Sequence, residues 1–520
     1  MDNDIVIFWF IFFVCVSALF VVARRIRSAA WGWATVYLVI LVTDLLGRFW
    51  AHGLIYAAGA LWMLLVLIPG LAARFYYQRV LQERYGAAYK FARVIRWLHP
   101  ADGWNQQPEI VRAVDLAQRG ELTAAQATLE RFQQVKSVTG LAAMVNLYRI
   151  TSRWEEFRVW ERQRRLDLDQ HPQLLPALLR ARGETGDLEG LAELYQRRQL
   201  QIARLVPPAM RDQCRLALFA FGGRRDLVER LFAGNLAVLP DTTRRFWLAT
   251  ADMAAGRLTD AKSEFELLLP AAEPPLRLAI QRRLSALATQ PAPPGHGLQA
   301  LIESVALEHS HDETFGARPS LWSRHAQATQ TLIGLNLLMF GAEMYLGGGT
   351  NPDTLYRLGA LFPPAVRGGE WWRLFAAMFL HFGPLHLAMN MFALWVLGPF
   401  VEFALGFARF LLVYAVSGIG SMAGVMALAS GPNGQQLTVG ASGCIMGLVG
   451  ATGALMLRGW LREKALSARR RLLLILLILL TQSLFDSVIP QISMTAHLSG
   501  ALIGFACALL LTDRLARRPN

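Results

Sequence analysis

The sequence predicts an all-α, polytopic membrane protein, and three observations carry that reading. Of 520 residues 54% are hydrophobic and only 17% charged, which is apolar for a soluble chain. Apolar runs of roughly 20 residues, the length that crosses a bilayer as a helix, recur along the chain. The formal charge of +14 is concentrated beside those runs, as in ARRIR at 23–27 and SARRRL at 467–472. That placement marks membrane flanks, and no nucleic-acid partner is expected.

Three apolar runs open the chain at about 5–23, 29–47 and 52–74. The first follows the acidic start MDND and lacks a small-residue cleavage site, so it reads as a retained anchor. Asp44 makes the second the least regular. After a long gap, six more runs follow near 328–347, 386–405, 408–429, 438–457, 471–489 and 496–512. The expected organisation is an N-terminal membrane region over 1–75, soluble helical repeats over 76–288, a linker over 289–325 and a six-helix membrane domain over 326–516.

Basic clusters set the orientation, because Lys and Arg collect on cytoplasmic flanks. Those at Arg24, Arg25 and Arg27, from Arg74 to Arg96, from Arg458 to Arg471 and from Arg514 to Arg518 share one side if every run spans. The N-terminus is then external and 75–325 cytoplasmic, as in a multi-pass protein of a bacterial inner membrane.

Within the soluble segment GELTAAQATLERF, SRWEEFRVWERQR, GDLEGLAELYQRR, GRRDLVERLFAGN and GRLTDAKSEFELL begin at 120, 152, 186, 223 and 256, spaced by 32, 34, 37 and 33 residues. A period near 34 with a small residue at a tight turn between amphipathic helices resembles a tetratricopeptide-like α-solenoid. Such a surface would bind a cytoplasmic protein or peptide. Residues 289–300, TQPAPPGHGLQA, read as a Pro/Gly-rich linker hostile to helix.

Chemistry is concentrated in the last block. VGASGCIMGLVGATG at 439–453 carries Ser442 among small residues, where close helix packing is one reading and an exposed nucleophile the other. His497 in MTAHLSGALIGF is an ionisable side chain at the mouth of a membrane helix, a functional position by default. In the expected topology both lie a few residues in from the external face. A serine hydroxyl becomes an effective nucleophile when a neutral imidazole takes its proton. Gly443 and Gly500 would let the two helices approach. His386 and Asn390, in HLAMN, share a helix face at i,i+4 and could supply oxyanion donors with the Ser442 amide.

These residues sit in an ordered string: EWWRLFAAMFLH (370–381), HFGPLHLAMNMFALWVLGPFVE (381–402), YAVSGIGS (414–421), GASG (440–443) and HLSGALIG (497–504). The string resembles the rhomboid family of intramembrane serine proteases over about 326–512. The resemblance implies a six-helix core, a Ser442–His497 dyad without a third acid, and an oxyanion site of Asn390, His386 and the Ser442 amide. Gly440 and Gly443 belong to the serine motif. Trp372 and Arg373 would lie in a loop in the outer leaflet, and Glu402 would be a structural polar contact. Rhomboids often place an aromatic residue four positions after the serine; here it is Met446.

Asp486, eleven residues before His497, is a triad-acid candidate that the family's dyad argues against. Gly/Pro-containing stretches at 347–385 and 487–495 suit an embedded loop and a gate. HSHDE at 309–313 could pair two histidines, yet no metal or cofactor is expected, and the scattered Cys15, Cys214, Cys444 and Cys507 suggest reduced structural thiols. The expected function is cleavage of transmembrane or juxtamembrane segments of membrane proteins. The alternative is a non-catalytic protein that holds or escorts client helices.

Overall fold

A computed structural model describes residues 3–23, 31–135, 137–287, 295–316, 321, 326–428, 436–488 and 493–511. Their regular structure is helical, apart from one isolated antiparallel bridge between Leu361 and Thr438. The chain divides into two compact units, Met1–Ala306 and Leu307–Asn520.

The first unit opens with α1 (Asn3–Ala23), α2 (Trp31–Phe49) and α3 (Gly53–Leu81). Ile11, Cys15, Ile40 and Ala58 form their small shared core. Asp44, the suspect residue of the second run, is fully buried within α2. The third run was expected to end near 74, but α3 continues to Leu81, where Ala72 and Tyr76 join the core of the helices that follow. A π turn over Met63–Leu67 precedes Pro69, which has no N–H to give the helical ladder. The start of α2 is capped from the segment that follows α3: Asp102 accepts from Gly32 N and Trp33 N, both at 3.1 Å. A carboxylate there satisfies orphan N–H groups and complements the helix dipole.

Helix–turn–helix pairs follow with one recurring turn. Gly120, Ser152, Gly186, Gly223 and Gly256 all have φ between +53° and +96°. Each is followed by a residue whose N–H reaches back five positions, as in Glu121 N→Leu116 O, Arg153 N→Tyr148 O and Asp187 N→Arg182 O. This is the Schellman closure of a helix end, which glycine adopts without a Cβ penalty. Ser152 alone bears that penalty. The stretch expected as linker differs from its reading: a helix occupies His296–Phe315, because the prolines at 291, 293 and 294 precede its first turn and lie outside the described residues.

The second unit contains α4 (Gln327–Tyr345), α5 (Pro384–Leu405), α6 (Phe407–Leu428), α7 (Ser442–Glu463), α8 (Leu466–Val488) and α9 (Met494–Leu510). Of these α5, α6 and α7 are long and apolar enough to cross a bilayer, and α9 is apolar over a shorter length. Leucines 473, 474, 476, 477, 480 and 484 of α8 are exposed, a surface suited to lipid rather than water. Arg458 on α7 donates to the carbonyls of Ala508, Leu509 and Leu511, closing the C-terminal end of α9.

Candidate active site

Glycine sets the geometry of the site. A Cβ on Gly500 would stand 2.2 Å from Gly443 O, and one on Gly504 would stand 2.1 Å from Gly447 O. The pairs advance together along both helices, so α7 and α9 run parallel with backbone against backbone. On the other side of α7, Cβ atoms on Gly443 and Gly447 would each meet a serine Oγ, Ser421 or Ser417, at 2.0 Å. Small residues alone permit this approach.

The parallel packing brings two N-termini to one end. Ser442 is the first residue of α7, so its N–H has no helical acceptor and sits at the positive end of the dipole. Gly440, at φ +131°, turns the chain into that start, and its N–H donates to Ala377 O at 2.9 Å. His497 lies in the first turn of α9, 7% exposed, after a cap in which Ser493 Oγ accepts from Ala496 N at 3.2 Å. One turn separates His497 from Gly500, and Gly443 follows Ser442 directly.

His497 Nδ1 lies 2.7 Å from Asp486 Oδ2, and Asp486 Oδ1 accepts from Gln482 Nε2 at 2.8 Å. Asp486 does lie at the end of α8, as its sequence position suggested. What the reading missed is that this end reaches the first turn of α9. No local pattern marks a pairing between side chains on either side of 489–492, which are outside the described residues.

From α5 come His386 and Asn390. Gly383, at φ +87°, precedes Pro384 in the first turn. Phe382 N donates to His386 Nδ1 at 3.3 Å, which places the neutral ring's proton on Nε2. That nitrogen faces Gly440: a Cβ built there would be 3.0 Å from it and 3.7 Å from Ser442 Oγ. Asn390, one turn on, is 7% exposed and its Nδ2 has no hydrogen-bond partner among the described residues.

The segment between α4 and α5 is held by polar anchors. Arg373 is buried and donates to Glu370 Oε2 at 2.6 Å, Tyr356 O at 2.7 Å and Ala360 O at 3.1 Å. Its guanidinium lies 4.1 Å from the Tyr356 ring centroid, while Trp372 is half exposed. Leu361 and Thr438 exchange both bridge hydrogen bonds, tying this segment to the residues before Gly440. Glu343, which drew no attention as a lone acid in an apolar run, accepts from His381 N at 2.9 Å. Glu402 accepts from Ala328 N, Thr329 N and Thr329 Oγ1, each at 2.8 Å, at the start of α4. Met446 is buried on α7. His309 lies 3.6 Å from the Glu313 carboxylate and His311 3.7 Å from that of Glu463. Among the described residues no group of three His, Cys, Asp or Glu gathers to hold a metal.

The result is a hydroxyl at a helix N-terminus, an imidazole held by a carboxylate, and donor groups on a third helix: a layout suited to acyl transfer.

The Rhomboid domain model matches residues 368–514. "Rhomboid protease GluP" of Bacillus subtilis (strain 168) is 35% identical over 188 residues, which cover 35% of this chain and 34% of that protein. "RHOMBOID-like protein 6, mitochondrial" of Arabidopsis thaliana is 36% identical over 165 residues, 31% of this chain and 51% of that protein. The match thus spans from about a third to half of these two relatives. "Putative rhomboid protease YdcA" of Bacillus subtilis (strain 168) is 35% identical over 153 residues, which are 29% of this chain but 73% of that protein. With most of one relative covered at that identity and several apolar helices of membrane-crossing length, the chain is a multi-pass membrane protein that belongs to the rhomboid family.

Proposed function

We propose that the second unit is an intramembrane serine endopeptidase that cuts transmembrane or juxtamembrane segments of membrane proteins, with Ser442 as nucleophile and His497 as general base. The observation that carries this reading is the Gly443–Gly500 backbone contact, which sets the N-termini of two parallel helices side by side. In the reaction His497 Nε2 takes the Ser442 proton as Oγ bonds to the substrate carbonyl carbon. The oxyanion receives the Ser442 N–H, the Asn390 amide and His386 Nε2–H. Collapse breaks the C–N bond, and the imidazolium protonates the departing amine. Water then hydrolyses the acyl-enzyme by the same proton path.

Gly440 and Gly443 shape the approach to the serine, and Glu402 anchors the start of α4. Trp372 and Arg373 belong to a loop we place in the outer leaflet, within a domain of six spanning helices over 326–516. We read the five helix pairs as a tetratricopeptide-like solenoid, supported by the five matching turns. Its side is the cytoplasm of a bacterial inner membrane. Asp102, at the head of the solenoid segment, caps the same end of α2 that follows the Arg24–Arg27 cluster, which supports one shared side. A cavity of about 60 Å³ lined by Glu83, Arg149, Arg180, Trp247 and Glu273 is where a cytoplasmic peptide or protein side chain could dock.

The test is labelling of detergent-solubilised protein with a serine-reactive fluorophosphonate, alongside cleavage of a model transmembrane substrate. Wild type is expected to label and cut. Ser442→Ala should do neither, and His497→Ala should lose cleavage while still inserting and folding. Turnover near wild type in either variant would overturn the assignment, and an unreactive wild type would favour the escort alternative.

A further inference from the structure

We propose that Asp486 is a positioning residue for His497, so that this chain holds its base by a carboxylate rather than working as a bare Ser–His pair. The inference rests on the assignment of Ser442 and His497 above. Its observations are the 2.7 Å approach of Asp486 Oδ2 to His497 Nδ1 and the 2.8 Å bond from Gln482 Nε2 to Asp486 Oδ1. Both partners are buried, Asp486 at 5% exposure and His497 at 7%.

The bond fixes which nitrogen is the base. A carboxylate has only acceptors, so the neutral imidazole that faces it must carry its proton on Nδ1. Nε2 is then left with a lone pair, the state required to take a hydroxyl proton. The ring orientation is fixed as well, because Gln482 holds the other carboxylate oxygen from within the same helix. In the step itself the Ser442 proton passes to Nε2 while Oγ forms its bond to carbon and the carbonyl electron pair moves to oxygen. The ring becomes a cation, and Asp486 stays ionised and takes no proton. Collapse returns the Nε2 proton to the leaving amine, and the ring is neutral again.

Energetics favour this role over a simple tether. A buried carboxylate inside a membrane domain is costly unless a positive partner compensates it. The partner shown is a histidine, which supplies full positive charge only while the imidazolium exists. A general base must be neutral before it takes the proton, so the ion pair is complete only once that proton has moved, and the contact favours catalysis more than folding.

The experiment compares Asp486→Asn with wild type in proteoliposomes, measuring kcat and KM separately for a model transmembrane substrate. An amide is nearly isosteric but can present N–H to Nδ1, stabilising the tautomer with its proton on Nε2. The expected result is a fall in kcat of about 10²- to 10⁴-fold with KM changed less than about threefold. Asp486→Glu should recover part of the loss. A kcat within about threefold of wild type, or a loss confined to KM, would overturn the proposal. Should Asp486→Asn fail to fold, nuclear magnetic resonance of ¹⁵N-histidine-labelled wild type still decides. A strongly deshielded Nδ1 proton assigned to His497 supports it, and a His497 protonated on Nε2 alone refutes it. The underlying assignment is judged separately: if Ser442→Ala still cleaves, the Ser–His reading fails. If Ser442→Ala is inert while Asp486→Asn has normal kcat, only the role of Asp486 fails.

Discussion

Asn390 offers a test in which activity and stability are expected to move independently. Its Nδ2 is buried and has no acceptor among the described residues, a state that costs about 1–3 kcal/mol for a neutral polar group. Asn390→Ala removes that unsatisfied donor and also some packing, a loss of roughly 1 kcal/mol for a mostly buried small side chain. The two terms nearly cancel, so Tm should stay within about 4 °C of wild type or rise. The reaction, by contrast, loses a donor aimed at charge that exists only in the transition state. Removal of one such donor lowers kcat by about 10²–10³, or roughly 2.7–4 kcal/mol, with KM little altered. Asn390→Asp should be worse than alanine, since a carboxylate would face the oxyanion. The assay is initial-rate cleavage over a range of substrate in proteoliposomes, with thermal unfolding followed by tryptophan fluorescence. A large drop in Tm with unchanged kcat would show that the amide has a ground-state partner and serves packing, and the oxyanion assignment would fall.

Three further substitutions separate the parts of the molecule. Glu402→Ala strands three buried donors at the head of α4 and should cost about 3–5 kcal/mol, read as a lower Tm, with cleavage surviving at low temperature. A Tm equal to wild type would show that the anchor is dispensable. Ser152→Gly relieves a left-handed residue, at φ +53°, of a strain of about 1–2 kcal/mol, less the greater chain entropy of glycine, and should raise the stability of the helical unit by roughly 0.5–1 kcal/mol in denaturant titration. Gly500→Ala puts a methyl 2.2 Å from Gly443 O, where only backbone movement can make room, and should abolish fluorophosphonate labelling together with a loss of Tm.

Features that force a residue type, by periodicity or by backbone contact, were legible in the sequence, and side-chain contacts made only by the fold were not. The apolar runs fall on α1–α9 because a long hydrophobic stretch is itself a pattern. The repeat turns could be read at Gly120, Gly186, Gly223 and Gly256, where one residue type answers one backbone conformation; Ser152 was found only because the period demanded it. The end of α3 was misjudged because hydropathy falls at Arg74, whereas the helix goes on to bury Tyr76 in another core. The expectation that 289–300 resists helix fails from His296 on, because prolines prohibit a helix at their own positions and say nothing of the turn after them. Among the site residues, Ser442, His497, His386 and Asn390 were singled out by type and spacing. Asp486 stood out as a triad-acid candidate but was set against the family's dyad, and Glu343 did not stand out at all, because each meets a group brought to it by the fold: His497 in the next helix, and the His381 N–H across a loop.

That division follows the physical origin of each contact. The Ser442–His497 side of the site rests on backbone touching backbone along Gly443, Gly447, Gly500 and Gly504, where any side chain is an obstruction. Such a ridge must be encoded by glycine or another very small residue, so the sequence shows it. The opposite side rests on side-chain atoms with unused capacity, Asn390 Nδ2 and one oxygen of Glu343 among them. Unused hydrogen-bonding capacity has no sequence signature, since the same asparagine could equally be satisfied. The two sides therefore respond differently to change. Substitutions on the glycine ridge move the helices and take structure and chemistry together, whereas substitutions on the donor side take chemistry and leave the helices where they were. On the proposed roles, a rigid half that fixes Ser442 and His497, facing a half that holds the Asn390 amide in reserve, is the arrangement expected where charge must be stabilised only in passing.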